Sequence, residues 1–408
     1  MRDYKKHRHI DGSDDDDDSQ DMITSLLDYE SSDTSEDSDS SESSKPESVN
    51  QNATGNIGGD EEEDIAVSAI RRAQERNIEK PQEVYHDDLI VDISFHPSDD
   101  IIAAATIVGD VLIYKYSVVG TELVKTLEVH RKSCRAVEFS SSGKTVITGS
   151  KDKSLIITDV ETTKLNKCFD DAHEDPLYCL LEVNENVIAS GDENGVVKLW
   201  DLRQNKQISS FKKMEDYVSS IISNDERRYI VCTSGEGTVT SFDMRSRNMH
   251  IQSEVFEAEL TCAAIVGKST KLVVGSSQGS LLFYNWEQFG LHVDELPTLG
   301  KKAINCMIPI SENIVITGWE DGVLRATYLL PNRNLGIVGQ HSLSVENLDI
   351  SHDGEYIASC SLDQKLRFWP ISYFEDLNTI SSTNKNPNHN LPSSNFSNRG
   401  DFFADLAN

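Results

Sequence analysis

The chain has 408 residues, 37% of them apolar, and a formal net charge of −31 from 69 acidic and 38 basic side chains. The excess is spread over residues 1–86 (24 acidic, 9 basic) and over the rest (45 acidic, 29 basic). It argues against direct nucleic-acid binding, which needs a local surplus of Lys and Arg, and favours basic partners such as ribosomal proteins or histones.

The first residues, MRDYKKHRHIDG, contain no apolar segment and are not expected to act as a secretory signal. No apolar run approaches the roughly 18 residues of a membrane span. Seven cysteines without a C-x-x-C pair fit a reducing compartment, so a soluble intracellular protein is expected. The basic stretch Arg2–Arg8 reads either as ordinary terminal residues or as a nuclear import signal.

From Gly12 to Asp64 the chain is mostly Asp, Glu and Ser, too poor in apolar surface to offset the entropy of ordering. Residues 1–64 are therefore expected to form a disordered acidic arm, either a solubilising tail or a binding arm for basic partners. Ser13, Ser25, Thr34 and Ser44 each have an acidic residue three positions on, resembling sites of acidophilic kinases such as casein kinase 2. Phosphorylation there would add about −1.5 to −2 charges per site. Residues 65–80 carry Ile65, Ala69, Ile70, Ala73 and Ile78 near helical spacing before Pro81, which predicts a short amphipathic helix. It would lie on the folded domain or bind a partner.

Beyond Pro81 the pattern turns to strands of period two, and it repeats. The segments GDVLIY, KSLIIT, GVVKLW, GTVTSF, GSLLFY, GVLRAT and QKLRFW end at Tyr114, Thr158, Trp200, Phe242, Tyr284, Thr327 and Trp369. A strand-bearing period near 42 residues is the signature of a β-propeller with four-stranded blades. Seven units follow, at about 87–127, 128–169, 170–211, 212–253, 254–297, 298–338 and 339–375, within an all-β domain spanning 81–375. The last unit lacks an outer strand, and Glu83-Val84-Tyr85 is placed to supply it and close the ring. Residues 376–408 read as a flexible tail. Its end, with Asp401 as cap, puts Phe402, Phe403 and Leu406 on one helical face, to fold back or to dock on another protein.

The units resemble WD repeats. Six residues before the terminal position stands the turn Asp of that family, as Asp152, Asp321 and Asp363, replaced by Asn194, Glu236 and Gln278 in other units. Four residues earlier is a hydroxyl, at Thr148, Ser190, Thr317 and Ser359, and a His opens three units at His130, His173 and His341. The resemblance implies a structural hydrogen-bonded chain of His, Ser/Thr, Asp and Trp, complete only in the last unit as His341, Ser359, Asp363 and Trp369. The acidic pair Asp192-Glu193 reads as solvated turn.

A closer resemblance covers most of residues 65–408. His130-Arg131-Lys132-Ser133-Cys134-Arg135-Ala136-Val137, Leu330-Pro331-Asn332-Arg333, Val338-Gly339-Gln340-His341, Asp363–Trp369 and Asp401–Leu406 look like the WD repeat-containing protein 55 family. That implies a nuclear and nucleolar protein, with a cytoplasmic pool also open, needed for ribosomal RNA processing. The expected role is a non-enzymatic scaffold for basic proteins of pre-ribosomal particles. No nucleotide-binding, zinc or hydrolase motif is present, and neither a cofactor nor a metal is expected. Candidate partner contacts at the ends of inner strands and in nearby turns are Arg135, Lys151, Tyr178, Glu193, Trp319 and Glu320. Trp319 is the leading candidate, unless it tucks over the neighbouring blade. The alternative is a substrate receptor of a cullin-4 ubiquitin ligase. Trp200-Asp201-Leu202-Arg203 matches the W-D-x-R signature of such receptors, and Phe242-Asp243-Met244-Arg245 is a variant, making Arg203 and Arg245 the candidate adaptor contacts.

Overall fold

Period-two apolar runs broken by turn residues fold here into seven antiparallel sheets of four strands each. The computed structural model describes residues 79–297, 301–329 and 332–374. The acidic arm with its four candidate phosphorylation sites, nearly all of the 65–80 helix, and the tail with Phe402, Phe403 and Leu406 lie outside the described residues.

Blade one is β2–β5 (Ile90–Phe95, Ile101–Thr106, Asp110–Lys115, Glu122–Glu128). Blade two is β6–β9 (Cys134–Phe139, Thr145–Ser150, Leu155–Asp159, Leu165–Phe169). Blade three is β10–β13 (Leu177–Asn184, Val187–Asp192, Val196–Asp201, Lys206–Lys212). Blade four is β14–β17 (Val218–Ser223, Tyr229–Ser234, Val239–Asp243, Asn248–Gln252). Blade five is β18–β21 (Leu260–Val266, Lys271–Ser276, Leu281–Asn285, Asp294–Leu296). Blade six is β22–β25 (Ile304–Ser311, Ile314–Trp319, Val323–Leu329, Asn332–Gln340). Blade seven combines β26–β28 (Val345–Ile350, Tyr356–Ser361, Lys365–Pro370) with β1 (Val84–Tyr85) from the other end of the domain.

This is the seven-bladed WD-repeat propeller that the repeat predicts. Each innermost strand touches those of the blades on either side, and β26 meets β2 to complete the circle. The closing strand is short, pairing only Val84 with Leu366 and Tyr85 with Lys365. Side chains reinforce it. Glu83 takes Lys365 at 3.1 Å and Arg367 at 3.0 Å, and Gln364 Nε2 donates to the Asp87 carbonyl at 2.7 Å.

The second strand of each blade is covered on both faces, and this explains its small residues. At Gly318 a Cβ would stand 2.5 Å from Cys306 Sγ and 2.7 Å from Val345 Cγ1 of the next blade. At Gly191 it would stand 2.7 Å from Val218 Cβ. Apolar clusters accordingly run between blades, as where Val273 and Phe283 of blade five meet Val315 and Leu329 of blade six.

Every seam between blades also carries a bond from an inner-strand side chain to the neighbouring backbone. Asp349 accepts from Phe95 N at 2.6 Å, Asp92 from Val137 N at 2.7 Å and Glu138 from Glu182 N at 2.7 Å. The other seams use neutral donors. Cys179 Sγ donates to the Val218 carbonyl at 3.2 Å, Ser219 to Leu260 O at 2.5 Å, Thr261 to Ile304 O, and Asn305 to Val345 O at 2.9 Å. Carboxylate seams are confined to the arc from blade seven to blade three.

Candidate interaction surface

The geometry of an antiparallel blade puts the start of the inner strand and the turn after the second strand at the same end. In all seven blades that turn is bonded back to the residue just before the inner strand. Examples are Glu193 N to Pro176 O at 3.0 Å, Gly235 N to Tyr217 O at 3.0 Å and Ser277 N to Glu259 O at 2.9 Å. These loops make one face of the ring, the turn face.

At this end every inner strand carries a β-bulge, a register shift between Ile90/Asp92, Cys134/Ala136, Leu177/Cys179, Val218/Ser220, Leu260/Cys262, Ile304/Cys306 and Val345/Asn347. A bulge leaves its extra residue unpaired and re-aims its side chain. The bulged residues are Val91, Arg135, Tyr178, Ser219, Thr261, Asn305 and Glu346. Three of them bind across seams, as above. Arg135 and Tyr178 belong to the predicted contact set.

The structure brings Arg135, Tyr178 and Glu193 together. Arg135 pairs with Glu193, and its guanidinium lies 5.8 Å from the centre of the Tyr178 ring. Tyr178, 40% exposed, packs its ring 4.9 Å from that of Tyr217, whose hydroxyl donates to Glu259 at 3.0 Å. Burial raises the Tyr178 and Tyr217 phenols above their usual value, so both stay neutral hydroxyls. Tyr217 escaped the sequence reading, although it is the one aromatic residue directly preceding an inner strand. Lys151 stands on the adjacent blade-two turn, its backbone N bonded to Ser133 O at 2.9 Å. Glu320 lies apart, on blade six, paired with Lys302 at 3.6 Å.

Trp319 requires a correction. It is 3% exposed, it packs among residues of blades five and six, and its indole donates to Thr317 at 2.8 Å. In blades three and seven the indole bonded to the equivalent hydroxyl comes from the third strand: Trp200 to Ser190 at 2.8 Å and Trp369 to Ser359 at 2.7 Å. Blade six has Thr327 at that position. Trp319 fills the gap from the end of the second strand, with the Arg325 guanidinium 4.5 Å above its ring.

A second correction concerns Asp192. It is 1% exposed and accepts from His173 Nδ1 at 2.7 Å, while His173 Nε2 meets Ser190 at 2.6 Å. Blade three therefore has a full His–Ser–Asp–Trp chain beside the one in blade seven, where His341 Nδ1 meets Asp363 at 3.0 Å and Nε2 meets Ser359 at 2.7 Å. The carboxylate simply stands two residues earlier than Asn194. Asp192 Oδ1 also caps the turn, accepting from Asn194 N at 3.0 Å and Val196 N at 2.8 Å. Blade two has a partial version. His130 bonds Thr148 at 2.8 Å and Ser154 at 2.9 Å, and lies 3.3 Å from Asp152.

Burial lowers the pKa of His173 and His341 despite the neighbouring carboxylates, so both rings are neutral. Burial would raise Asp192 and Asp363, but hydrogen bonds from the imidazoles and from neighbouring backbone N–H groups hold both below the usual carboxylate range. With each serine oxygen already taken by an imidazole and an indole inside a blade, these trios hold the fold together. Among the described residues no group of three His, Cys, Asp or Glu is placed to hold a metal ion.

Arg203 and Arg245 lie at the opposite end of their blades, after the third strands. Arg203 is held by Asp201, at 2.9 Å from Nη2, with its side chain 66% exposed, and Arg245 N bonds Asp243 at 2.7 Å. Asp201, Arg203, Met244 and Arg247 line one shallow groove between blades three and four.

Comparison with known proteins matches residues 81–374 to the family model described as WDR55. The chain is 46% identical over 353 residues to the WD repeat-containing protein 55 homolog of Aedes aegypti, across 85% of this chain and 75% of that protein. It is 46% identical over 366 residues to the homolog of Drosophila willistoni (88% and 72% covered) and 45% over 359 residues to that of Drosophila melanogaster (87% and 72%). With one family model spanning the whole ring and relatives this similar over most of their length, the chain belongs to the WD repeat-containing protein 55 family.

Proposed function

We propose that the protein is a non-enzymatic scaffold of the nucleus and nucleolus that supports ribosomal RNA processing by gathering basic proteins of pre-ribosomal particles. The observation that carries this reading is the use of its ionisable residues. The His–Ser–Asp trios are consumed inside blades, whereas carboxylates crowd the turn face beside exposed aromatic rings. A surface of that kind recognises proteins, and its sign favours basic ones. The test is depletion of the protein followed by analysis of precursor ribosomal RNA, together with imaging of the tagged full chain. Accumulated precursors and nucleolar signal are expected; normal processing with no nucleolar signal would overturn the reading.

A second reading, a substrate receptor of a cullin-4 ligase, is supported by the exposure of Arg203 and by the shared groove that it forms with the blade-four turn. Arg203→Ala should then abolish co-purification of the ligase adaptor while precursor processing continues. Retained adaptor binding would remove this alternative.

A further inference from the structure

The charge of the turn face is not uniform around the ring. On blade two, the segments 129–133 and 151–154 contribute Arg131, Lys132, Lys151 and Lys153 against a single carboxylate, Asp152. From blade three to blade five the sign reverses. Segments 170–176, 192–195, 213–217, 235–238, 253–259 and 277–280 hold twelve acidic residues and one lysine, Lys213. Glu193 is matched by Arg135, but Glu215, Asp216, Glu257 and Glu259 form no ion pair among the described residues, and all four are exposed.

In this acidic sector, at the inner rim, stands the Tyr178–Tyr217 pair. The backbone is shaped around it, since a methyl group at Gly235 would collide with the Tyr217 ring. The niche already accepts a guanidinium of its own chain, because Arg135 sits over one side of Tyr178 with a carboxylate partner. On the other side, Tyr217 presents the same combination of aromatic ring and carboxylate, through Glu259 and Asp216, with no cation over its ring among the described residues. Rings beside carboxylates attract cations by quadrupole and charge together.

We propose that the turn face of blades three to five binds an extended arginine- or lysine-rich segment of a partner protein, seating one cationic side chain against Tyr217 between Asp216 and Glu259. The proposal rests on the scaffold reading and adds its site and ligand class. The segment would run along Glu215, Glu257 and Glu254 and turn away from the basic sector of blade two, which repels it. Recognition in this form sets orientation on the ring.

The test uses the full chain and a labelled peptide of alternating arginine and serine carrying a photo-crosslinker. Crosslinks are expected within 174–178, 215–217 and 254–259, and affinity is expected to fall as salt rises. Replacing Asp216→Asn, Glu257→Gln and Glu259→Gln together should weaken binding about tenfold, as loss of several rim charges does. Tyr217→Phe, which keeps the ring but frees Glu259, should change it by less than about threefold. The matching neutralisation on the other face, Glu185→Gln with Asp225→Asn and Glu226→Gln, should leave affinity unchanged. Crosslinks confined to the acidic arm, or equal weakening by the two sets of variants, would overturn the proposal. If the triple variant loses the peptide yet still enters pre-ribosomal particles, the site is not the one used there and the scaffold reading stands. If the unaltered chain enters no particle, the scaffold reading itself falls.

Discussion

Asp192 and Asn194 sit two residues apart on one turn, and they differ completely in what their loss would do. Asp192 is bonded to a buried imidazole and to two backbone N–H groups, so Asp192→Ala should cost about 3 kcal/mol or more by urea unfolding. Asn194→Ala should stay within about 0.5 kcal/mol. An equal loss at both positions would contradict the assignment of the blade-three chain. Trp319→Phe should cost about 1 kcal/mol through the lost bond to Thr317 and leave partner affinity unchanged. The histidine pairs give a pH dependence of definite sign. His173, His341, Asp192 and Asp363 all have folded-state values below their ordinary ones, so their stability is present above the unfolded values. It is lost as pH falls, beginning near the free histidine value of about 6.5 and continuing through the carboxylate range.

The inner strands act in the opposite direction. Burial raises Asp92 to about 6, Asp349 to about 7 and Glu138 to about 8, in Glu138 with added repulsion from Glu182, Asp92 and Asp349. A carboxyl group whose folded value is raised binds its proton more tightly when folded. Its contribution is therefore present at low pH and disappears as pH rises from about 4 through the raised values. The seams of blades seven, one, two and three should loosen toward about pH 8, and the melting temperature should peak between the two trends, near about pH 6. Glu138→Gln keeps an acceptor for Glu182 N while removing the charge. It should flatten the decline between about pH 6 and pH 8, read by thermal melts at constant ionic strength. An unchanged slope would show that the seam carboxylates do not control stability there.

At the scale of the whole ring, the weakest link by length is β1, which contributes two residues to blade seven. Deleting residues 81–87 would expose the edge of β28 and remove Glu83 from Lys365 and Arg367. The melting temperature should fall by about 5–10 °C, several kcal/mol for a domain of this size. Glu83→Ala alone breaks only half-exposed ion pairs and should cost less than about 1 kcal/mol. A similar effect from both changes would mean that the strand pairing contributes little to closure.

The seven-fold period was legible in the residues because every blade needs the same four strands, and a turn residue before each third strand marks the count. Ring closure by Val84 and Tyr85 followed from the missing strand of the last unit. Local sequence could not place Trp319 or Asp192. Trp319 replaces an indole absent from Thr327, and Asp192 takes a role that the repeat assigns two residues later; both substitutions become visible only when the strands are paired. Tyr217 likewise acquires meaning from Tyr178 of another blade and Glu259 of a third. The sequence alone determined the repeat, its closure and the sign of its charge, since these depend on period and composition. Tertiary structure decided which side chains are buried and which share a surface, because the bulges and seams that aim them join residues about forty positions apart.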